Sequence, residues 1–295
     1  MPAFQPMPTL ALPRLDQPTD YGTSTGKLDC IQWKAGLSLV SYGVRIGIQV
    51  SGSTVLEQLQ DYLPPGWGQS SSPDVDELYS LVVSESPDGY QLYRGQEELI
   101  QSVDLEDIFD TLDSDLRLQV GIAVKDWLFV HAGVVGWRGK AIVIPGRSFS
   151  GKTTLVAALV KAGATYYSDE YAVLAADGLV HPYPRRLSIR RGDGGRVQRC
   201  PVEELGGESG TEPLPVGMVI HTQYQSGVQW CPNPISPGQA VLMLLDNTVV
   251  ARLRPDFALP ILARAVSSAL TIEGERGEAE KTAAAILKQL ENQIL

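Results

Sequence analysis

Long apolar runs are missing from this sequence. No segment approaches the ~18 consecutive apolar residues that a membrane-spanning helix requires, and no Lys or Arg precedes Arg14, so the start lacks the basic lead-in of a secretory signal. A cytoplasmic protein with no membrane partner is expected. Cysteine is scarce: Cys30, Cys200 and Cys231 have no spacing suited to a zinc site or redox pair, and their odd number fits a reducing compartment, with all three as free thiols. Positive charge is also short. The chain has 24 Lys and Arg against 34 Asp and Glu, a formal net charge of −10, and such a field repels nucleic-acid backbones and anionic lipid. A peptide, protein or small-molecule partner is expected instead. What is abundant is ordinary: 43% hydrophobic residues over 295 positions suffice for one large core or two modest ones.

Prolines 2, 6, 8, 13 and 18 crowd the start with little periodicity, so residues 1–24 read as an extended or flexible arm. Residues 37–50 alternate apolar with polar or small side chains, as a half-buried strand does, and 54–63 read as a short helix stopped by Pro64-Pro65. Strands at 79–83 and 90–93 are expected about a tight turn, Ser86-Pro87-Asp88-Gly89. These elements make a β-rich domain over 25–115. A helix over 105–120, acidic in its first turns, leads into a second domain over 116–295.

The second domain begins with two strand-like runs, 127–135 and 140–144, divided by the turn Gly136-Trp137-Arg138-Gly139. After them stands Gly146-Arg147-Ser148-Phe149-Ser150-Gly151-Lys152-Thr153, a complete Walker A pattern, and then the helix-prone run Thr154-Leu155-Val156-Ala157-Ala158-Leu159. The residue types suit phosphate: glycines let backbone N–H groups turn around phosphate oxygens, a helix N-terminus adds positive potential, Lys152 neutralises charge, and the Thr153 hydroxyl can ligate Mg²⁺. A nucleotide phosphate is the expected ligand. A loop hung from a hairpin departs from ordinary P-loop proteins, in which the preceding strand lies in a parallel sheet and the acidic metal residue comes from a distant strand. Here the carboxylates follow at once. After the stop Ala162-Gly163-Ala164, the β-prone run Thr165-Tyr166-Tyr167-Ser168 ends in Asp169-Glu170. A strand returning beside the loop would bring Asp169 to the γ-phosphate and Mg²⁺, where a carboxylate accepts a hydroxyl proton or holds the metal.

Further on, 216–220 reads as a strand, Ser236-Pro237 opens a helix through 245, and Pro255-Asp256 opens another over 257–271. A last helix is expected over 275–290, with Ala279, Ala283, Ile286, Leu287 and Leu290 on one face packed against the sheet.

Four segments give the chain a resemblance to the HPr kinase/phosphorylase family. They are His131-Ala132-Gly133, the loop from Gly146 to Thr153, Ser168-Asp169-Glu170 where the family has an Asp-Asp pair, and Leu187-Ser188-Ile189-Arg190 where it has a Leu-Glu-Ile-Arg-like stretch. The match covers about residues 125–295. It implies an α/β fold, a phosphoenolpyruvate carboxykinase-like nucleotide-binding domain with a mixed sheet and P-loop, here preceded by the β-rich domain. It also implies roles. Asp169 is the base on the acceptor hydroxyl, Lys152 and the loop residues through Thr154 bind the phosphates of ATP or another nucleotide, Thr153 and Glu170 hold Mg²⁺, and His131 and Arg190 complete the catalytic set. The family usually has glycine at the position of Phe149 and glutamate at that of Thr154, and a Gly-rich apolar stretch where this chain has Arg191-Gly192-Asp193-Gly194-Gly195. These departures argue against the reverse, phosphorolytic reaction and resemble the shorter relatives encoded with peptide-modification systems.

The implied activity is a Mg²⁺-dependent kinase acting on a serine or threonine of a peptide or protein, in a chain that is a candidate homo-oligomer since relatives form rings. Two alternatives stay open: a nucleotide-sensing module that binds a partner without transfer, and a kinase for a small-molecule hydroxyl. ATP, GTP and pyrophosphate all remain candidate donors. Arg185, Arg186 and Arg190 suit either a phosphate clamp or an exposed strand edge blunted by charge. His181 and His221 read as packing residues.

Overall fold

The alternating run at 37–50 is two strands, not one. Tyr42 and Gly43 both take positive φ, 50° and 83°, and this tight turn folds the run into an antiparallel hairpin of β1 (Ala35–Ser41) and β2 (Val44–Val50). Tyrosine is not a turn-forming residue, so the alternation masked the break. In the computed structural model, which describes residues 28, 30–72, 74–84, 89–147, 150–190 and 197–294, the chain divides between Val124 and Lys125. The arm at 1–24 and the tip of the 86–89 turn lie outside the described residues.

In the first unit α1 (Ser53–Gln58) and a 3₁₀ turn (Leu59–Tyr62) carry the chain across from β2, ending before Pro64-Pro65. β3 (Gly68–Gln69), β4 (Glu77–Val83), β5 (Tyr90–Arg94) and β6 (Glu97–Ser102) complete a sheet in the order β3-β1-β2-β4-β5-β6. β2 and β4 are parallel and the other pairs antiparallel. α2 (Leu105–Ala123) is capped by Asp104, whose carboxylate accepts from Glu106 N at 3.0 Å. It buries Ile108, Phe109, Leu112, Leu116 and Val120 at helical spacing. The boundary expected after residue 115 is corrected by this helix. Asp115 accepts from Tyr79 Oη at 2.7 Å and from Arg94 at 2.9 Å, which fastens the middle of the helix to the first sheet, and the division after Val124 keeps its whole length in the first unit.

The second unit begins with β7 (Leu128–Trp137) and β8 (Lys140–Pro145), joined by Arg138 and Gly139 at φ 51° and 74°. α3 (Lys152–Lys161), β9 (Thr165–Ser168), β10 (Tyr171–Leu174) and β11 (Val180–His181) follow. β12 (Leu187–Arg190) and β13 (Val197–Cys200) pair apart as a small ribbon. Then come β14 (Val216–Tyr224), β15 (Asn233–Pro234), α4 (Pro237–Asp246), α5 (Pro255–Val266), β16 (Leu270–Arg276) and α6 (Ala279–Ile294). The main sheet runs β11-β10-β7-β8-β14-β16-β15, with β9 also on β7.

Two expectations are corrected here. β8 is antiparallel to β7 but parallel to β14, which is parallel to β16, so the strand before the loop has the parallel neighbour that the hairpin alone did not promise. The helix expected over 257–271 ends at Val266, and 270–276, read partly as helix at both ends, is a strand. Pairing of Met218 through Tyr224 with Leu270 through Arg276 fixes that state, and such tertiary pairing overrides local propensity.

Helices cover both faces of this mixed sheet, giving an α/β architecture. On one face α3 and α6 pack Leu155, Leu159, Ala283, Ile286 and Leu290 against Ile142, Ile144, Ile220 and Ile272. On the other, α4 and α5 pack Ala240, Leu244, Ile261 and Leu262 against Val130, Val134, Val143 and Val219. At ~1.5–3 kcal/mol for each large apolar side chain removed from water, these two layers hold β7, β8, β14 and β16 as one rigid platform. No helix among the described residues is long and apolar enough to cross a membrane.

Candidate functional site

The loop leaves β8 at Gly146, whose N–H donates to the His131 carbonyl at 3.3 Å. Ser148 and Phe149 lie outside the described residues. The loop ends at Gly151, which takes φ 79° as it starts α3, a left-handed conformation natural to glycine. α3 then runs away from the loop over β7. A Cβ at Gly133 would stand 2.6 Å from Val156 Cγ2, so the bare glycine lets the helix lie directly on the strand.

Lys152 is 8% exposed. Its ammonium donates to the Gly146 carbonyl at 2.7 Å and the Arg147 carbonyl at 2.8 Å. Burial pulls its pKa below the ordinary lysine value, while the charges of Glu170 and Asp169 oppose that shift. Lys152 thus ties back the start of the loop, with the carbonyl oxygens of Gly146 and Arg147 as the acceptors.

The two carboxylates arise from a kink. β9 and β10 run antiparallel along successive halves of β7, β9 opposite 134–136 and β10 opposite 128–131. Between them Ser168 Oγ accepts from Glu170 N at 3.0 Å and Tyr171 N at 2.9 Å, which bends the chain at Asp169. Asp169, 5% exposed, turns toward α3. Its Oδ2 accepts from Thr153 Oγ1 at 3.0 Å and from Ser188 N at 3.3 Å, and its Oδ1 from Tyr166 Oη at 2.8 Å. Burial pushes the Tyr166 hydroxyl far up, with the Asp169 charge and hydrogen bond adding to the shift, so Tyr166 stays a donor. Glu170 Oε1 lies 3.4 Å from His131 Nε2, on the strand next door.

Residues from β7, the loop, α3, the β9–β10 kink and β12 therefore meet in one place: His131, Gly146, Lys152, Thr153, Asp169, Glu170 and Ser188. Arg147 and Thr154 are exposed beside it and Ser150 is half-buried. Arg190 pairs with Val197 in the β12–β13 ribbon, and its side chain lies outside the described residues. Arg185 acts on Tyr166 through its charge and a backbone hydrogen bond, both of which oppose the rise of the Tyr166 pKa. Two residues were missed in the sequence. Tyr166 carried the signal of standing three positions before Asp169 in a β-prone run. Arg276 carried none: it lies 125 positions from Gly151, yet its Nη2 donates to the Gly151 carbonyl at 2.9 Å.

Chemically, the place combines a helix N-terminus, a lysine and a hydroxyl with two carboxylates. Among the described residues no group of three or more His, Cys, Asp and Glu is placed to hold a metal ion. The oxygen donors here are the Thr153 hydroxyl, hydrogen-bonded to Asp169, and the Glu170 carboxylate beside His131; Thr153 and Glu170 are the residues that could take a divalent cation if phosphate oxygens supplied the rest of its shell. No protein-family model matches the chain, and no curated protein matches it.

Proposed function

We propose that this protein is a Mg²⁺-dependent ATP:serine/threonine phosphotransferase acting on a peptide or protein hydroxyl, with Asp169 as general base. Residues 125–295 are read as its phosphoenolpyruvate carboxykinase-like, HPr kinase-like nucleotide domain. The observation that carries the proposal is the hydrogen bond of Thr153 Oγ1 to Asp169 Oδ2 at 3.0 Å. It joins the last hydroxyl of the phosphate motif to a buried carboxylate, which the geometry of phosphoryl transfer requires near the transferred group.

In this reading the Gly146–Thr153 loop and the start of α3 take the phosphates, and Lys152 gives up its carbonyl partners to neutralise them. Bound Mg²⁺ neutralises charge on the transferring group, and Thr153 and Glu170 are the residues that would hold it. Asp169 exchanges the Thr153 hydroxyl for that of the acceptor and takes its proton, while Tyr166 and the Ser188 amide keep the carboxylate in place. His131 orients Glu170.

The full chain incubated with γ-labelled ATP and Mg²⁺, with candidate acceptor peptides, is expected to transfer label; Lys152→Ala is expected to lose about 10²-fold in rate. A second reading has one observation in its favour: Asp169 already accepts three hydrogen bonds, an arrangement suited to a nucleotide-sensing module. Tight ATP binding with no labelled product on any peptide or metabolite would select it.

A further inference from the structure

Arg276 is a buried cation with too few partners. It is 2% exposed, at the end of β16, on the sheet face that carries Ile272 and packs against α3. Its guanidinium has five N–H donors. Nη2 donates to the Gly151 carbonyl at 2.9 Å, Nη1 reaches the Gly277 carbonyl at 3.5 Å, and Nε is buried with no hydrogen-bond partner. No carboxylate among the described residues lies within ion-pair distance of it. Glu278 acts on it from an exposed position, and one Glu278 oxygen accepts from Tyr224 Oη at 3.1 Å. The Tyr224 ring centroid stands 5.6 Å from the guanidinium carbon, a cation–π contact. A buried guanidinium without a counter-ion is costly to the folded state, and its place in this fold calls for a purpose.

That purpose lies at Gly151. The Gly151 carbonyl accepts from Leu155 N at 3.1 Å as the first bond of α3 and from Arg276 Nη2 as well. A Cβ at Gly151 would collide with Nη2. The guanidinium is thus fitted against the hinge between loop and helix, where it restrains the left-handed residue and adds positive charge behind the helix N-terminus.

We propose that Arg276 is a positioning residue for the phosphate loop: its guanidinium ties the Gly151 carbonyl so that the loop is held ready for a polyphosphate, and its charge is balanced only when that anion binds. This rests on the reading of the loop as a nucleotide site. Lys152 is bonded to carbonyls at the start of the loop and Arg276 to the carbonyl at its end, so the two cations have different tasks: one contacts phosphate, the other shapes the loop that does so.

The test uses the full chain with Arg276→Gln, Arg276→Lys and Lys152→Ala, titrated calorimetrically with Mg–ATP and with inorganic pyrophosphate, alongside hydrogen exchange of the 151–155 amides without ligand. Arg276→Gln is expected to weaken both ligands about tenfold or more, as loss of one charge-assisted contact does. Arg276→Lys is expected to recover part of that affinity, and both variants to exchange faster at 151–155, most in the Gln variant. Parent-like affinity in Arg276→Gln, with binding lost in Lys152→Ala, would overturn the positioning role and leave the nucleotide site standing. Equal losses in both Arg276 variants together with a lowered ligand-free melting temperature would also overturn it, marking Arg276 as structural only. If the parent binds neither ligand, the nucleotide reading falls; parent-like exchange in both variants would then remove the tether as well.

Discussion

The Thr153 hydroxyl donates to Asp169 Oδ2 at 3.0 Å, tying the first turn of α3 to the kink between β9 and β10. Everything expected of the site turns on this pair. In the proposed reading Asp169 would take the acceptor's proton while Thr153 and Glu170 would hold the metal ion, so changes at Asp169 should separate binding from transfer.

Asp169→Asn keeps the shape and a hydrogen-bond acceptor but loses the basicity. Phosphoryl transfer is expected to fall by about 10²- to 10⁴-fold, while the affinity for Mg–ATP changes little. Label transfer and nucleotide titration on the same preparation check this; undiminished transfer by the variant would remove Asp169 as the base.

Tyr166→Phe deletes a buried donor to a buried carboxylate, whose Oδ1 accepts at 2.8 Å. Removing a hydrogen bond to a charged group costs about 1.5–3 kcal/mol. Urea denaturation should show a lower midpoint with an unchanged slope. A variant as stable as the parent would mean that water replaces the phenol without penalty.

Gly133→Ala places a methyl group 2.6 Å from Val156 Cγ2. The overpacking is expected to cost about 1–3 kcal/mol and to lift α3 from β7. Since the loop is the N-terminal end of that helix, nucleotide affinity should fall along with the melting temperature. A loss of stability with parent affinity would show that the loop holds its shape without the helix seated.

His181 supplies a pH dependence remote from the site. Its pKa is lowered by burial, which the charge of Asp177 only partly opposes, and its ring meets Trp127 edge-on with centroids 4.5 Å apart. The folded state therefore binds a proton less readily than the unfolded chain, where histidine titrates near ~6.5. The stability from this group is full above that value and is lost as pH falls through it toward the lower folded pKa. Denaturation midpoints measured from pH 7.5 to 5 should decline, and His181→Gln should flatten the decline. An unchanged profile in the variant would place the acid sensitivity elsewhere.

The loop and its helix were legible because glycine, lysine and threonine at fixed spacing have few other uses, and the approach of Asp169 followed from one short strand returning beside α3. The acidic start of α2, the α4 capping residues Ser236 and Pro237, and the packed face of α6 were legible from capping chemistry and helical periodicity. What stayed hidden depends on partners distant in sequence. β16 has no strand signature of its own and takes its state from β14. Tyr42 breaks a strand although nothing in its side chain announces a turn. Arg276 is an arginine among alternating charges until the fold brings it under Gly151.

That last contact also orders events in time. The Gly151 carbonyl and Arg276 are separated by 125 residues, and β16 follows α3 only after β9–β15, α4 and α5. A domain emerging from the ribosome N-terminal end first displays its complete glycine–lysine motif long before residue 276 is made. Until then β14 lacks its outer neighbour and the loop its brace. The nascent chain carries the phosphate motif before its brace exists, and the brace arrives only once residues 270–276 have been made and have paired with β14.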